Sequence, residues 1–233
     1  MTKTCKIPKL PLKLNWEKVV PYLGPARETL ARLTMKDIPK ASLQEAKASE
    51  KTSKSKNASQ IQDALSFAIQ SKTPFSYKTW CGIHAIVKQD FPNPGKIRTQ
   101  QNWIGPEKSP IEKAYFFPPP PSKVLGHLRD LERYLRTKDL DPLVQIAVAF
   151  AYFLMIHPFM DGNGRVARIL IPVFAVKKKL LQQPILFMSP YFEKHRGQYM
   201  QTLHDISANK DWEGWIVFFL KGVQMTPQNH SVY

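Results

Sequence analysis

The stretch His157-Pro158-Phe159-Met160-Asp161-Gly162-Asn163-Gly164-Arg165-Val166-Ala167-Arg168 decides how this chain is read. An uncharged apolar run, Ile146 to Ile156, leads into it, and a second, Ile169 to Val176, leads out. A polar, glycine-rich loop therefore interrupts two segments that belong in a core. Glycines let backbone N–H groups turn inward, and a helix beginning just beyond adds the positive end of its dipole. The combination makes a site for an anion, a phosphate chain being the best fit. His157 can take a proton and Asp161 can hold a hard cation such as Mg²⁺. Gly and Asn are also ordinary turn residues. An ordinary turn, however, does not need His157, Asp161, Arg165 and Arg168 around its glycines.

Outward from the loop, the chain reads as helices. Asp141-Pro142 is an N-cap with proline at the first helical position, and the helix to about Ile156 is apolar on all sides, hence central. Beyond the loop, Val166 to Leu181 is helical, with Pro172 inside and Lys177 to Lys179 complementing the dipole in its last turn. Ser189-Pro190 starts another helix that carries Tyr191, Phe192, Tyr199 and Leu203, and Asp211 caps the last, Trp212 to Val223. On the N-terminal side, Ser122 is expected to cap a helix striped by Val124, Leu128, Leu131 and Leu135. Ser76 is expected to cap one whose shared face holds Tyr77, Trp80, Ile83, His84 and Val87. His84 reads as a satisfied core histidine. Ile61, Leu65, Ala68 and Ile69 repeat with helical spacing. Asn15 caps a first helix that Pro21 and Gly24-Pro25 are expected to break before a second, Ala26 to Leu33, ends ahead of Pro39.

Two stretches differ. Lys40 to Asn57 is rich in Ala, Ser, Lys and Thr, with Leu43 its one sizeable apolar residue, so it is a surface helix or a linker. Phe91 to Pro121 holds too much Pro and Gly for regular helix. Within it, Gly95 to Gly105 is β-branched and aromatic enough for a short hairpin. The expected fold is one all-α domain with a small β-hairpin. Its organisation is an N-terminal helical region over 1–58, a core over 59–224 and a short tail over 225–233.

Composition narrows the class. At 233 residues, 43% hydrophobic and 22% charged, this is an ordinary globular chain. Cys5 and Cys81 make neither a disulfide framework nor a metal site. No stretch reads as a signal sequence or membrane span, so the expectation is a cytoplasmic protein, with delivery into another cell by a signal-less route left open. The net charge is +16, and residues 1–56 hold half of the excess, with 13 basic and 5 acidic side chains. Such charge suits a polyanionic nucleotide, an acidic partner or nucleic acid, or simply solubility. No motif supports nucleic acid.

The string HPFxDGNGRxxR resembles the signature of the Fic family at every fixed position. Gly95 to Gly105 looks like that family's flap, and Tyr191 to Arg196 and Trp212 to Val223 resemble the helices that end its core. Asn15-Trp16 through Leu33 is similar to the N-terminal helices of one large branch, whose common C-terminal winged-helix tail has no counterpart here. The resemblance implies a protein adenylyltransferase, moving AMP from ATP to a Ser, Thr or Tyr hydroxyl of a target protein and releasing pyrophosphate, with self-modification a natural side reaction. His157 would be the general base and Asp161 the Mg²⁺ carboxylate. Gly162, Asn163 and Gly164 would form the anion nest, Arg165 the β-phosphate clamp and Arg168 the reach to the γ-phosphate. Lys96, Ile97, Arg98 and Thr99 would be the flap residues that dock the target. The branch also carries an inhibitory pattern, (S/T)xxxE(G/N). Its best register here sets Ser49, Ser53 and Lys54 in those places, so Ser53 stands where the glutamate belongs, and autoinhibition is expected to be weak or altered. Two other readings stay open: transfer of a different nucleotide or phosphate-linked group by the same loop, and a basic nucleic-acid-binding or adaptor protein with a vestigial loop. Target and oligomeric state are not legible.

Overall fold

The computed structural model describes residues 7–11, 13–33, 57–105 and 110–226. Helix α5 (Pro142–Ile156) is the axis of the fold, and every residue from Leu143 to Phe153 is buried. Asp141 starts it, accepting N–H bonds from Leu143 (2.8 Å) and Val144 (3.3 Å). Around it stand α4 (Pro121–Arg136), α6 (Asn163–Lys177) and α9 (Trp212–Met225). α9 is tied in by Trp215, whose indole N–H donates to the Ala147 carbonyl at 2.7 Å and whose ring stacks on Phe150 at 5.8 Å. Phe192, Tyr199, Phe218 and Phe219 complete that aromatic cluster. Helices α2 (Asn57–Gln70) and α3 (Tyr77–Val87) pack on each other and on α6.

Gln145, the one polar residue deep in α5, is satisfied. Its amide donates to the carbonyls of Tyr134 (2.9 Å) and Thr137 (2.8 Å), and its oxygen accepts from Lys178 (2.6 Å). Lys178 also donates to the Leu135 carbonyl. The open end of α4 is thus closed by two side chains from elsewhere in the chain, as buried carbonyls require.

Several sequence expectations change. α1 (Trp16–Arg32) is one helix running through Pro21 and Pro25. Both prolines are exposed, while Val19, Ala26 and Leu30 face the core. The carbonyls that the prolines leave unbonded can therefore reach water, and packing on α9 holds the helix together. α4 begins at Pro121 with no side-chain cap bond, so Ser122 lies inside its first turn and does not cap it. The helix from Ser189 is two, α7 (Ser189–Lys194) and α8 (Arg196–Asn209), hinged at His195.

The expected hairpin at Gly95 to Gly105 is not formed among the described residues. Ile104 pairs in a lone antiparallel bridge with Phe116, and Arg98 N–H donates to the Pro158 carbonyl at 2.9 Å. Its extended backbone hydrogen-bonds to the signature loop and the 116 region, where partners lie closer than its own second half. The inhibitory-pattern residues Ser49, Ser53 and Lys54 lie outside the described residues.

Candidate functional site

The loop between α5 and α6 is built by its own residues. His157 ends α5 in the left-handed conformation (φ 49°), and Gly162, also left-handed (φ 78°), precedes α6. The Asn163 side chain closes the turn on Phe159, accepting from its N–H (2.8 Å) and donating to its carbonyl (2.7 Å). Asn102 donates to the same carbonyl at 3.1 Å. Phe159 itself is buried, as its apolar ring dictates. Asn163 therefore shapes the loop with its side chain, leaving its backbone N–H, with those of Gly164 and Arg165, at the open N-terminus of α6.

His157 is set up to accept a proton. Its Nδ1 lies 3.2 Å from the Leu154 carbonyl. A carbonyl can only accept, so Nδ1 carries the hydrogen and Nε2 keeps its lone pair. Burial pushes the imidazole down to about 4, helped by the Arg98 cation and opposed by the Leu154 bond and Asp161. At neutral pH the ring is uncharged.

Arg98, one of the flap candidates, turns its side chain inward. Expected on a target-docking edge, its side chain is buried, at 3% exposure. It donates to the carbonyls of His157 (2.8 Å), Gln100 (3.1 Å), Ile156 (3.5 Å) and Pro119. The guanidinium thus caps the C-terminus of α5 at the catalytic candidate itself, where a cation suits the helix dipole. Lys96, Ile97 and Thr99 border a cavity of about 300 Å³ that Arg98, His84, Phe91 and Met160 also line. The four flap candidates are thus brought to one cavity beside the loop.

The C-terminal end of α3 frames the other side. His84 Nδ1 accepts the Gly95 N–H (2.8 Å), so Nε2 carries the hydrogen and donates to the Asp161 carbonyl (3.0 Å). The ring stacks on Phe159 at 3.9 Å, and burial pushes its pKa down. His84 is a satisfied buried histidine, and it also ties the flap to the signature loop. Lys88 pairs with the Asp161 carboxylate. The Val87 carbonyl accepts from Arg165 Nη1 at 3.3 Å. Burial works against the Asp161 carboxylate, but Lys88, the Gly162 N–H and Arg165 outweigh it and hold the group below its ordinary pKa. Arg168 follows one turn after Gly164, whose missing side chain leaves room for its guanidinium: a Cβ there would stand 3.2 Å from Arg168 Nη1.

His84, Lys88 and Val87 escaped the sequence reading as parts of this site. A signal existed: His84 and Lys88 stand four apart, on one face of an otherwise apolar helix end.

Among the described residues no cluster of three or more His, Cys, Asp or Glu side chains could hold a metal ion by itself. One ionised, half-exposed carboxylate beside the N-terminus of α6 fits a Mg²⁺ that arrives on phosphates, since Mg²⁺ keeps waters and takes one or two protein carboxylates. Among the described residues, no helix is long and apolar enough to cross a membrane.

Comparison with known proteins bears on the family and the fold. The Fic/DOC family model matches residues 74–175, which span α3 through most of α6. A protein adenylyltransferase, fic-1, of Caenorhabditis briggsae is 32% identical over 113 residues, 47% of this chain and 19% of that protein. A probable protein adenylyltransferase of Aquifex aeolicus is 42% identical over 69 residues, 29% of this chain and 22% of that protein. The chain thus spans about a fifth of the length of these relatives. Among solved structures, a Fic family protein from Desulfovibrio desulfuricans superposes with a TM-score of 0.73 at 16% identity, over 97% of this chain and 79% of that one. The E274G form of C. elegans Fic-1 gives 0.62 at 18%, over 93% and 71%. Among the described residues the likeness takes in α1 as well as the core helices.

Proposed function

This chain belongs to the Fic/DOC family, and from that premise we propose that it is a protein adenylyltransferase, moving AMP from ATP to a Ser, Thr or Tyr hydroxyl of a target protein. The observation that carries the reading is the contact of His157 Nδ1 with the Leu154 carbonyl, which assigns the hydrogen to Nδ1 and leaves the Nε2 lone pair to take a proton, on the loop that leads into α6. The target oxygen attacks the α-phosphorus, its proton passes to Nε2, and the bond to pyrophosphate breaks. The N–H groups of Asn163, Gly164 and Arg165, with the Arg165 guanidinium, hold the phosphate oxygens on which charge accumulates. Arg168 extends that grip by one helical turn. Mg²⁺, held by Asp161, would neutralise charge on the departing pyrophosphate. Ile97 and its neighbours hold an extended target segment at the cavity edge.

The test is transfer of label from α-labelled ATP to protein, with His157→Ala beside the parent chain. Losing a general base should lower the rate about 10²–10⁴-fold. Label that survives undiminished in His157→Ala, or no label from ATP, would refute the reading.

A further inference from the structure

We propose that Lys88 is a resident cation on the metal carboxylate, so that a divalent ion must compete with its ammonium for Asp161; this rests on reading the loop as a nucleotide–metal site. Lys88 caps the C-terminal end of α3, where its N–H bonds the His84 carbonyl at 3.0 Å, so the origin of the side chain is fixed. Its stem runs over Gly162: a Cβ on that glycine would stand 2.8 Å from Lys88 Cγ and 3.2 Å from Cδ. The ammonium ends on Asp161 Oδ2 and 4.5 Å above the Phe91 ring. Oδ1 of the same carboxylate accepts the Gly162 N–H at 2.6 Å. Both carboxylate oxygens are therefore engaged from the protein side. The lysine is 12% exposed and the aspartate 53%, so the pair turns its carboxylate, not its ammonium, to the solvent.

The consequence is electrostatic. A divalent ion on that open face sits within a few ångströms of a fixed positive charge, and the repulsion weakens its binding. Without metal, the same ammonium cancels the carboxylate that would otherwise repel a polyphosphate. Lys88 thus lowers the dependence of nucleotide binding on the metal from both directions. The half-exposed pair amounts to roughly five- to tenfold in each affinity.

The experiment uses Lys88→Met, which keeps the stem over Gly162 and removes the charge, with Lys88→Gln as a second neutral variant should the first fold poorly. Mn²⁺ binding to the nucleotide-free protein is read by electron paramagnetic resonance. Binding of α,β-methylene-ATP is measured by calorimetry in EDTA and in Mg²⁺. Neutralising Lys88 should tighten Mn²⁺ and weaken the analogue in EDTA, each about five- to tenfold. In an Asp161→Asn background the change in Mn²⁺ binding should not appear. Unchanged or weaker Mn²⁺ binding in a folded variant overturns the proposal, as does a Mn²⁺ effect that survives in Asp161→Asn. If the analogue fails to bind the parent chain at all, the nucleotide reading falls, while the Mn²⁺ titration still decides the pairing.

Discussion

Replacing Arg98 by Met removes a buried guanidinium from the end of α5 and leaves the rest of the extended segment in place. Four carbonyls lose a donor, those of Ile156, His157, Gln100 and Pro119, the Ile156 bond being long at 3.5 Å. Three sound charge-assisted bonds are worth about 1.5–3 kcal/mol each before desolvation. Freeing the protein of a buried cation returns part of that, as does water reaching Gln100. The net loss should be about 3–4 kcal/mol, a fall in Tm of roughly 10 °C for a domain of this size. The folded state survives such a loss, since domains hold about 5–15 kcal/mol. A second effect separates this from a generic core defect. The Arg98 cation helps hold the His157 pKa down, so its removal should move the acid limb of the kcat/KM profile upward from about 4, though not to the ordinary 6.5, because burial remains the larger cause. Arg98→Lys should keep the limb low while losing stability, since it retains the charge but not the fork. Urea unfolding and pH–rate profiles of the three proteins read both quantities. A loss below 1 kcal/mol, or a limb that shifts as much in Arg98→Lys as in Arg98→Met, would refute the account.

Other perturbations test neighbouring parts. His84→Leu orphans the Gly95 N–H and the Asp161 carbonyl and should cost about 2–3 kcal/mol in urea unfolding, the groups being partly buried. Gly162→Ala imposes a left-handed alanine against Lys88 and should cost about 1–2 kcal/mol, with most of the clash relieved by the lysine swinging away. Because the His157 pKa is lower in the folded chain than when unfolded, the unfolded chain takes up the proton first as pH falls. Its contribution to stability is therefore intact above 6.5, is lost between 6.5 and about 4, and is level below; the loss is about 2–3 kcal/mol and should vanish in His157→Asn. Ser53→Glu should lower adenylyl transfer if the inhibitory register is right. Truncation at residue 58 is a poor substitute, because it strips Val19, Ala26 and Leu30 from the core.

The sequence by itself determined what depends on near neighbours along the chain. Asn15, Ser76, Asp141 and Asp211 cap their helices because an N-cap bond spans two or three residues. The buried α5 was legible because eleven consecutive uncharged residues, Ile146 to Ile156, have no exposed face to offer. The twelve residues from His157 carried the family resemblance because a glycine-rich loop between two helices is written in near neighbours. Tertiary structure alone decided the rest. Arg98 turns inward because its carbonyl acceptors lie up to 59 residues away, at the end of a different helix. The same distance problem made Gly95 to Gly105 read as a hairpin closed on itself, and it hid the joining of flap to loop through His84, whose partners are 11 and 77 residues off. α1 passes through two prolines because α9, nearly two hundred residues later, covers its apolar face and leaves the prolines in water. A cation's partner or a strand's pair is chosen by proximity in space, and a linear pattern carries that only where the chain folds back within a few residues.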